Sequence, residues 1–536
     1  MNKLRSFFKT AERPFLWLTI LGSFGLVVYG NYPVFLNDYL QTDDARANIF
    51  WLHRLVDPEL LQNDLLTDYA IYFEALGPKY LYTFASHFMD PFLLEKLIPL
   101  FLFTVTGILL FQLGNHLNGP YAGFLFALTF LALPNHMENF NAGFSRTFAY
   151  PSAILFIYLL TTRRLGHLLW LFPLTALFYP IVFLINSTVY FFWVLIRITW
   201  KPIDIPRQKI MLYAMGAILL SAPCILPKYL SPDDRFGRLM NHEETINHPG
   251  AYQYGHTPIL PPEPYHEKVL DKLDEPFIIL AFLVIFFFLG RRGLDIPLEF
   301  WLYMGCGWLL YELAYPFLLT LYLPYKYFRY SFLFIIFFII SLGLGRIISN
   351  LPTPLSRNAG LALVMVFAVH FYGKEFIPGG DFDDYSPKAP LYLYLMTLPK
   401  DALFAAPPYL ADDIPLFAAR KVLINYELAT PWFVNYWQTI KERTEDFYSA
   451  YYTNRLSELI AFRDKYQIDY LIVNRRDFHR LNRKRFYFNP FNDFIKEQIK
   501  KNRPHFFLSK HTKQLSQFKL GSFYVIDTKR LDGMKP

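Results

Sequence analysis

The sequence predicts an α-helical polytopic membrane protein with a C-terminal extracytoplasmic α/β domain, on three observations. Only 18% of the 536 residues are charged and 54% are hydrophobic, with a mean hydropathy of +0.21, against about 25% charged in soluble domains. About eleven apolar stretches approach the length of a bilayer crossing, about 17 to 25 residues. Beyond Gly373 the pattern changes to short strands separated by helical stretches. The 56 Phe and 38 Tyr suit helices facing lipid and aromatic belts at the interfaces better than one soluble core.

The candidate spans lie at roughly 14–35, 92–113, 120–134, 147–161, 167–180, 181–198, 210–227, 277–290, 298–322, 330–345 and 359–373. Lys3, Arg5, Lys9 and Arg13 precede the first, which is too long for a signal-peptide core and has no small-residue cleavage site after it. An uncleaved helix with a cytoplasmic N-terminus follows from the positive-inside rule. Threading an odd number of spans puts Arg163, Arg164, Arg197, Lys201, Arg207, Lys209, Arg291, Arg292, Arg346 and Arg357 on that same side. The opposite side receives a first outer loop at 36–91, the 138–146 loop, a long outer loop at 228–276 read as a lid, the 325–330 loop, and all that follows 373. Arg238, Lys268 and Lys326 run against the bias. Phe178, Tyr179 and Pro180 mark either a turn or a kink, and a merged helix there would change the side of every later loop.

The region 374–536 shows strand-like runs at 402–406, 421–425, 469–474 and 522–527 with a helical stretch at 453–466. Strands alternating with helices favour a mostly parallel sheet whose last strand can run antiparallel. Gly379 and Gly380 do not open a strand-to-helix turn, so no phosphate loop is read there. Cys224 and Cys306 both sit in apolar stretches, which excludes a disulfide framework. A net charge of +8 without a basic cluster interleaved with aromatics is explained by membrane anchoring, not by nucleic acid.

The residues that demand chemistry begin with Asp43 and Asp44, directly after the first span. Adjacent carboxylates repel and raise one another's pKa, so the pair needs a cation, a metal or a proton-transfer task; a helix cap is the plainer alternative. The stretch 45–56 carries Ile49, Leu52 and Val56 at helical spacing with Arg46 and His53 elsewhere, the pattern of a helix along the membrane interface. Asp57, Pro58 and Glu59 then read as the start of a second short helix, and Asp64 and Asp68 complete a polar platform. A second cluster holds His136, Glu138, Asn139, Asn141, Ser145 and Arg146, in which Glu138 and Arg146 can pair across the loop. A third sets Lys326 and Arg329 among Tyr325, Tyr327 and Tyr330, where the cations either hold a phosphate or anchor the helix at the interface. His242, His248, His256 and His266 match no zinc template.

In these residues the chain resembles the GT-C type of multispanning glycosyltransferases, which includes protein O-mannosyltransferases, aminoarabinose transferases and the catalytic subunit of oligosaccharyltransferase. The resemblance rests on a first span, the acidic pair Asp43 and Asp44 in a first outer loop, many further spans and a domain after the membrane. The stretches 399–406 and 420–427 add to it by their likeness to the post-membrane domains of further relatives. It implies a hexosyl- or pentosyltransferase of a bacterial branch, embedded in the inner (plasma) membrane. Such an enzyme moves a sugar from a polyprenyl-phosphate donor to an extracytoplasmic lipid, glycan or protein acceptor. Asp43 or Asp44 would be the general base, or a ligand of a divalent Mg or Mn ion. Lys326 or Arg329 would hold the donor phosphate, with Arg46, His53, Glu138 and Arg146 as further substrate contacts. The absence of a Trp-Trp-Asp motif disfavours transfer of N-glycans to protein. The alternatives are a transporter or flippase of a lipid-linked sugar, with Glu312 as the clearest in-span carboxylate, and a noncatalytic assembly protein for which Asp43 is dispensable.

Overall fold

Apolar residues point outward on the first helix, α1 (Arg13–Leu36), and its polar residues point inward. Thr19, Ser23 and Asn31 share the buried stripe with Leu16, Val27 and Val34, whereas Trp17, Leu18, Leu21 and Phe24 are exposed. That inversion is what a helix surrounded by lipid requires, because close packing, not water exclusion, holds such helices together. The inward hydroxyl of Ser23 bonds back to the Thr19 carbonyl (2.7 Å) and the Asn31 amide to that of Val27 (3.0 Å). Gly107 on the neighbouring helix admits the contact, since a Cβ there would lie 2.9 Å from Ser23 Oγ. The computed structural model describes residues 12–131, 137–200, 205–230, 233–247, 284, 295–321, 323–373, 376–479 and 489–534.

The remaining long helices are α2 (Pro91–Leu131), α3 (Ala149–Thr161), α4 (Leu168–Phe178), α5 (Pro180–Thr199), α6 (Arg207–Leu230), α7 (Leu298–Ala314), α8 (Pro324–Ser349) and α9 (Pro354–Tyr372). Two of the expected spans are the arms of α2, which breaks at Asn118 (φ −152°) and Gly119 (φ +81°), the latter a conformation only glycine adopts without strain. Tyr179 (φ −149°, ψ 87°) separates α4 from α5, which pack on one another, so Pro180 follows a turn and the two do not merge. Among the described residues six helices are long and apolar enough to cross a membrane. The expected count of about eleven is not confirmed among the described residues. α3, α4 and α7 have 13, 11 and 17 residues, the expected span 298–322 stops as a helix at Ala314, and 277–290 lies outside the described residues apart from Val284.

The first outer loop departs from its expected form. Helix Ala45–Asn48 gives way at Ile49 to a tight 3-10 turn, Phe50–Leu52, and a last turn, His53–Val56. Ile49, Phe50, Trp51 and Leu52 are all buried and only Val56 is exposed. This is a core segment roofed by the C-terminal region, not an amphipathic helix on a membrane surface; four consecutive apolar side chains cannot all be buried along one helical stripe. Asp57 starts no helix; it closes the turn His53–Val56, its amide donating to the His53 carbonyl. Its carboxylate accepts from the Glu59 amide (2.9 Å) in a local turn, and positive φ at Leu61 and Asn63 postpones the next helix. That helix, Leu65–Phe73, is capped by Asp64 through the Thr67 amide (2.9 Å).

The C-terminal region holds a five-stranded sheet built from β3 (Leu403–Ala405), β4 (Lys421–Val422), β5 (Tyr470–Asn474), β6 (Ser516–Leu520) and β7 (Phe523–Asp527), in the order β4-β3-β5-β7-β6. β3 runs parallel to β4 and β5, and β7 antiparallel to β5 and β6. β6 has no counterpart in the sequence reading. Its signal was the Gly521-Ser522 pair, a two-residue hairpin connection with φ +57° at the glycine.

This region clasps the outer loop. A small antiparallel pair joins β1 (Leu40–Gln41) to β2 (Asp383–Asp384). Lys400 bridges Asp57 (2.6 Å) and Glu59 (2.8 Å). Tyr69 stacks on Tyr436 with ring centroids 3.6 Å apart and planes 6° from parallel, its hydroxyl 2.8 Å from Thr430. The described start of the 228–276 loop is docked on the same surface: Arg235 reaches Asp68 (2.7 Å) and Leu239 bridges to Phe433. Residues 231–232 and 248–276 of that loop, with His248, His256 and His266, lie outside the described residues. Tyr69→Ala removes a fully buried ring and should cost about 3 to 5 kcal/mol, whereas Tyr69→Phe removes one hydrogen bond and should cost about 1 kcal/mol. Thermal unfolding of the detergent-solubilised protein measures both, and equal losses would contradict the stacking argument.

Candidate active site

Asp43 and Asp44 begin the helical turn Ala45–Asn48, where successive side chains are rotated by about 100°. They therefore face different partners. Asp43 meets Arg46 one turn on. Asp44 meets Arg146, which stands in the 3-10 turn Ser145–Phe148 leading into α3.

Arg46 is almost fully covered and gathers carboxylates from two distant parts of the chain. Besides Asp43, its guanidinium reaches Asp413 (3.0 Å), Glu427 (3.0 Å) and, more distantly, Asp412 (3.8 Å), all from the C-terminal region. Its flat face lies 5.3 Å from the Tyr385 ring centre. Asp413 is completely buried and is held also by Lys388 and by the Tyr392 hydroxyl (2.9 Å). Asp412 accepts from the amides of Tyr426 and Glu427, both at 2.8 Å. Burial works against the charge on Arg46, but the surrounding carboxylates outweigh it and push its pKa up. The same burial pushes Asp412 and Glu427 above the ordinary carboxylate range; Asp413 adds to this at Asp412, and Asp412 and Asp43 at Glu427.

A second, mostly cationic chain runs from Asp44 toward α8. Arg146 donates to the Glu138 main-chain carbonyl (3.4 Å), and the Glu138 carboxylate lies 3.9 Å from Arg329. Glu138 and Arg146 therefore do not pair side chain to side chain. Arg329 opens a π-helical turn, Arg329–Leu333, inside α8, a local widening often found at functional sites. Lys326 lies over the Tyr325 ring (5.5 Å) within electrostatic reach of Asp44, Arg146 and Arg329. Nearby, Asn141 donates to Asp381 (3.0 Å), whose pKa is raised by burial against that hydrogen bond.

Of the sequence-selected residues, Asp43, Asp44, Arg46, Glu138, Arg146, Lys326 and Arg329 are thus brought to one end of the helices. His53 is not: its Nε2 lies 2.7 Å from the Leu416 carbonyl and its ring packs on Phe92 (4.7 Å), where burial lowers its pKa. His136 lies outside the described residues. Asp381, Lys388, Asp412, Asp413 and Glu427 were missed. Asp412 and Asp413 carried a signal, an acid pair between Leu410-Ala411 and Ile414-Pro415, since charges set in an apolar run are buried only with a partner.

The acidic pair is a poor fit for a divalent cation. Each carboxylate already contacts a guanidinium, the two are held by different elements, and Asp413 is shared between Arg46, Lys388 and Tyr392. Among the described residues no group of three or more His, Cys, Asp or Glu side chains is arranged to hold a metal.

No family model and no curated protein matches the chain. Its fold, however, is that of solved oligosaccharyltransferases. The Archaeoglobus fulgidus oligosaccharyltransferase in its apo form superposes with a TM-score of 0.55 at 11% identity, over 88% of this chain and 70% of that one. The archaeal oligosaccharyltransferase AglB from the same organism, in complex with an inhibitory peptide and a dolichol-phosphate, gives 0.51 at 11% identity over 87% and 70%. The chain thus shares a fold with these proteins over most of its length, and its apolar helices suit a multi-pass membrane protein.

Two outcomes follow from the Arg46 cluster. Arg46→Ala leaves buried carboxylates without their cation and should cost about 3 to 5 kcal/mol, with Arg46→Lys recovering only part because an ammonium cannot fork between Asp413 and Glu427. Because Asp412 and Glu427 bind protons more tightly folded than unfolded, their contribution to stability is complete below their unfolded values, about pH 4, and is lost as pH rises through their raised folded values. Unfolding midpoints measured from pH 4 to 8 should show that decline, and Glu427→Gln should flatten it.

Proposed function

We propose that the protein is a membrane glycosyltransferase that moves a sugar from a polyprenyl-phosphate donor to an extracytoplasmic acceptor, and that Asp44 is its general base. The observation that carries this reading is the continuous series Asp44, Arg146, Glu138 and Arg329, with Lys326 beside it. A carboxylate and several cations face one place, supplied by the first outer loop, the second outer loop and α8. The fold it shares with oligosaccharyltransferases supports the same class of reaction.

In the reaction, the acceptor hydroxyl attacks the sugar C1, its proton passes to the Asp44 carboxylate, and the C1–O bond to phosphate breaks. The lipid phosphate leaves with one more negative charge than it had as a diester. Arg329, Lys326 and Arg146 are the cations placed to receive it, and the planar guanidiniums suit a tetrahedral oxyanion by forked hydrogen bonds. Donor phosphate competes with Asp44 for Arg146. A guanidinium drawn toward phosphate relaxes its hold on Asp44 and makes that carboxylate a stronger base when the donor is in place. Asp43, turned to Arg46, supports Asp44 by fixing the helical turn that both begin. The transporter reading finds less support, because Glu312 is exposed near the end of α7 instead of lining its middle.

The site faces the outside in this reading, with the N-terminus cytoplasmic and residues 374–536 forming the extracytoplasmic domain. The test is reconstitution with a panel of polyprenyl-phosphate sugars. Asp44→Asn should lower kcat by about two to four orders of magnitude, the worth of general-base assistance. Arg329→Ala should raise KM for the donor about tenfold or more, as expected on loss of a charged hydrogen bond. Consumption of no donor by folded protein, or equal turnover by the wild type and Asp44→Asn, would sink the proposal.

A further inference from the structure

We infer that Arg46 and Arg146 occupy, at Asp43 and Asp44, the positions that a divalent cation would have to take, so that this chain transfers sugar with fixed guanidinium charge and without a metal. The inference rests on the glycosyltransferase reading above for its reaction, and on contacts present in the structure for its chemistry.

A small divalent cation such as Mg²⁺ requires near-octahedral oxygen ligands at about 2.0 to 2.1 Å, with carboxylates aimed at a common point. The acidic pair is not so aimed. Asp43 contacts Arg46 and Asp44 contacts Arg146, from different elements. The carboxylates that could join Asp43 are likewise engaged: Asp413 by Arg46, Lys388 and Tyr392, Glu427 by Arg46, and Asp412 by two backbone amides. A dication entering here would have to displace Arg46, whose side chain is 11% exposed, from carboxylates that hold it on several sides. On the other side it would meet Arg146, Arg329 and Lys326.

The guanidiniums also supply what the reaction would ask of a metal. The departing phosphate gains one negative charge, and Arg146, buried to 12% exposure beside Asp44, is a permanent cation in a water-poor setting. Both Arg46 and Arg146 have a buried Nε–H without a hydrogen-bond partner among the described residues. For Arg146 that donor is available to a phosphate oxygen. Arg46 is the positioning residue: it fixes the turn from which Asp44 projects and touches no reacting atom in this scheme.

Two measurements on the full-length protein in nanodiscs decide the matter. Turnover of a polyprenyl-phosphate sugar should be the same within about twofold in EDTA and in Mn²⁺, whereas a metal-dependent enzyme would lose about a hundredfold or more in EDTA. The second is independent of activity. Titration of Mn²⁺, followed by the paramagnetic resonance signal of the free ion, should show no stoichiometric binding to the wild type, and a new binding event in Arg146→Ala, where Asp44 has been released. Stoichiometric binding to the wild type that disappears in Asp43→Asn or Asp44→Asn overturns the inference, as does a large loss of turnover in EDTA restored by Mn²⁺. If no donor is consumed under either condition, the glycosyltransferase reading fails, and the Mn²⁺ titration of the wild type still decides whether the guanidiniums hold the cation positions. Should Arg146→Ala fail to fold, Arg146→Gln keeps the volume and removes the charge.

Discussion

An arginine can be buried only where carboxylates replace the water it gives up, and Arg46 finds them in two places nearly four hundred residues apart in sequence. Asp43 comes from its own helical turn; Asp412, Asp413 and Glu427 come from the C-terminal region. Removing the domain from the loop would leave a charge of each sign in poor surroundings, and the desolvation cost of an unpaired ion is several kcal/mol. The short strand pair β1 and β2, the Tyr69–Tyr436 stack and the Lys400 bridges hold the same interface by other means. What Arg46 adds is direction, because a planar fork between carboxylates tolerates little rotation. The turn that starts at Asp43 is thereby set, and with it the line along which Asp44 points away.

A second ionic cluster marks the far end of the helices. Glu299 at the start of α7 binds Arg163 (2.6 Å) just beyond α3, Arg197 (3.2 Å) near the end of α5, and the Trp193 indole (2.9 Å). α3 separates this cluster from Arg146, and its 13 residues span about 20 Å. The helices are thus tied at both ends by buried charge. Arg163 and Arg197 belong to the basic set that the loop pattern assigned to the N-terminal side, while Asp44, Glu138 and Arg329 belong to the set assigned to the other. Arg146 and Arg163 stand at opposite ends of α3.

Local pattern explains what could be read before any coordinates. Apolar length is a property of a segment, so the helices around 14–35, 181–198 and 359–373 were legible, and so were the break at Tyr179 as one of two options and the strands at 403–405 and 470–474. Contacts between distant segments leave no such trace. Arg46 looked like the polar side of an interfacial helix because nothing near it in sequence predicts Asp413 or Glu427, and the same roof turned Ile49 and Leu52 from membrane-facing residues into core. Asp57-Pro58-Glu59 has every local feature of a helix start, yet tertiary contacts with Lys400 fix it as a turn. His53 was drawn into the site by its position in the loop, but the main-chain carbonyl of Leu416 claims its ring.

The two acids that began as an electrostatic problem are separated by the geometry of one helical turn. Repulsion between adjacent carboxylates is relieved when each has its own guanidinium, and the two cations differ in what they can do next. Arg46 is enclosed by the C-terminal region and has carboxylates on several sides, so a substrate phosphate cannot recruit it without breaking the domain interface. Arg146 meets one carboxylate and the carbonyl of Glu138, whose own carboxylate lies near Arg329, and its Nε–H has no hydrogen-bond partner among the described residues. An incoming phosphate can therefore borrow Arg146 but not Arg46. In the proposed reaction Asp43 stays paired with Arg46 while Asp44 gains basicity as Arg146 turns to the donor phosphate, which would assign different tasks to two residues that composition and position in the sequence cannot tell apart.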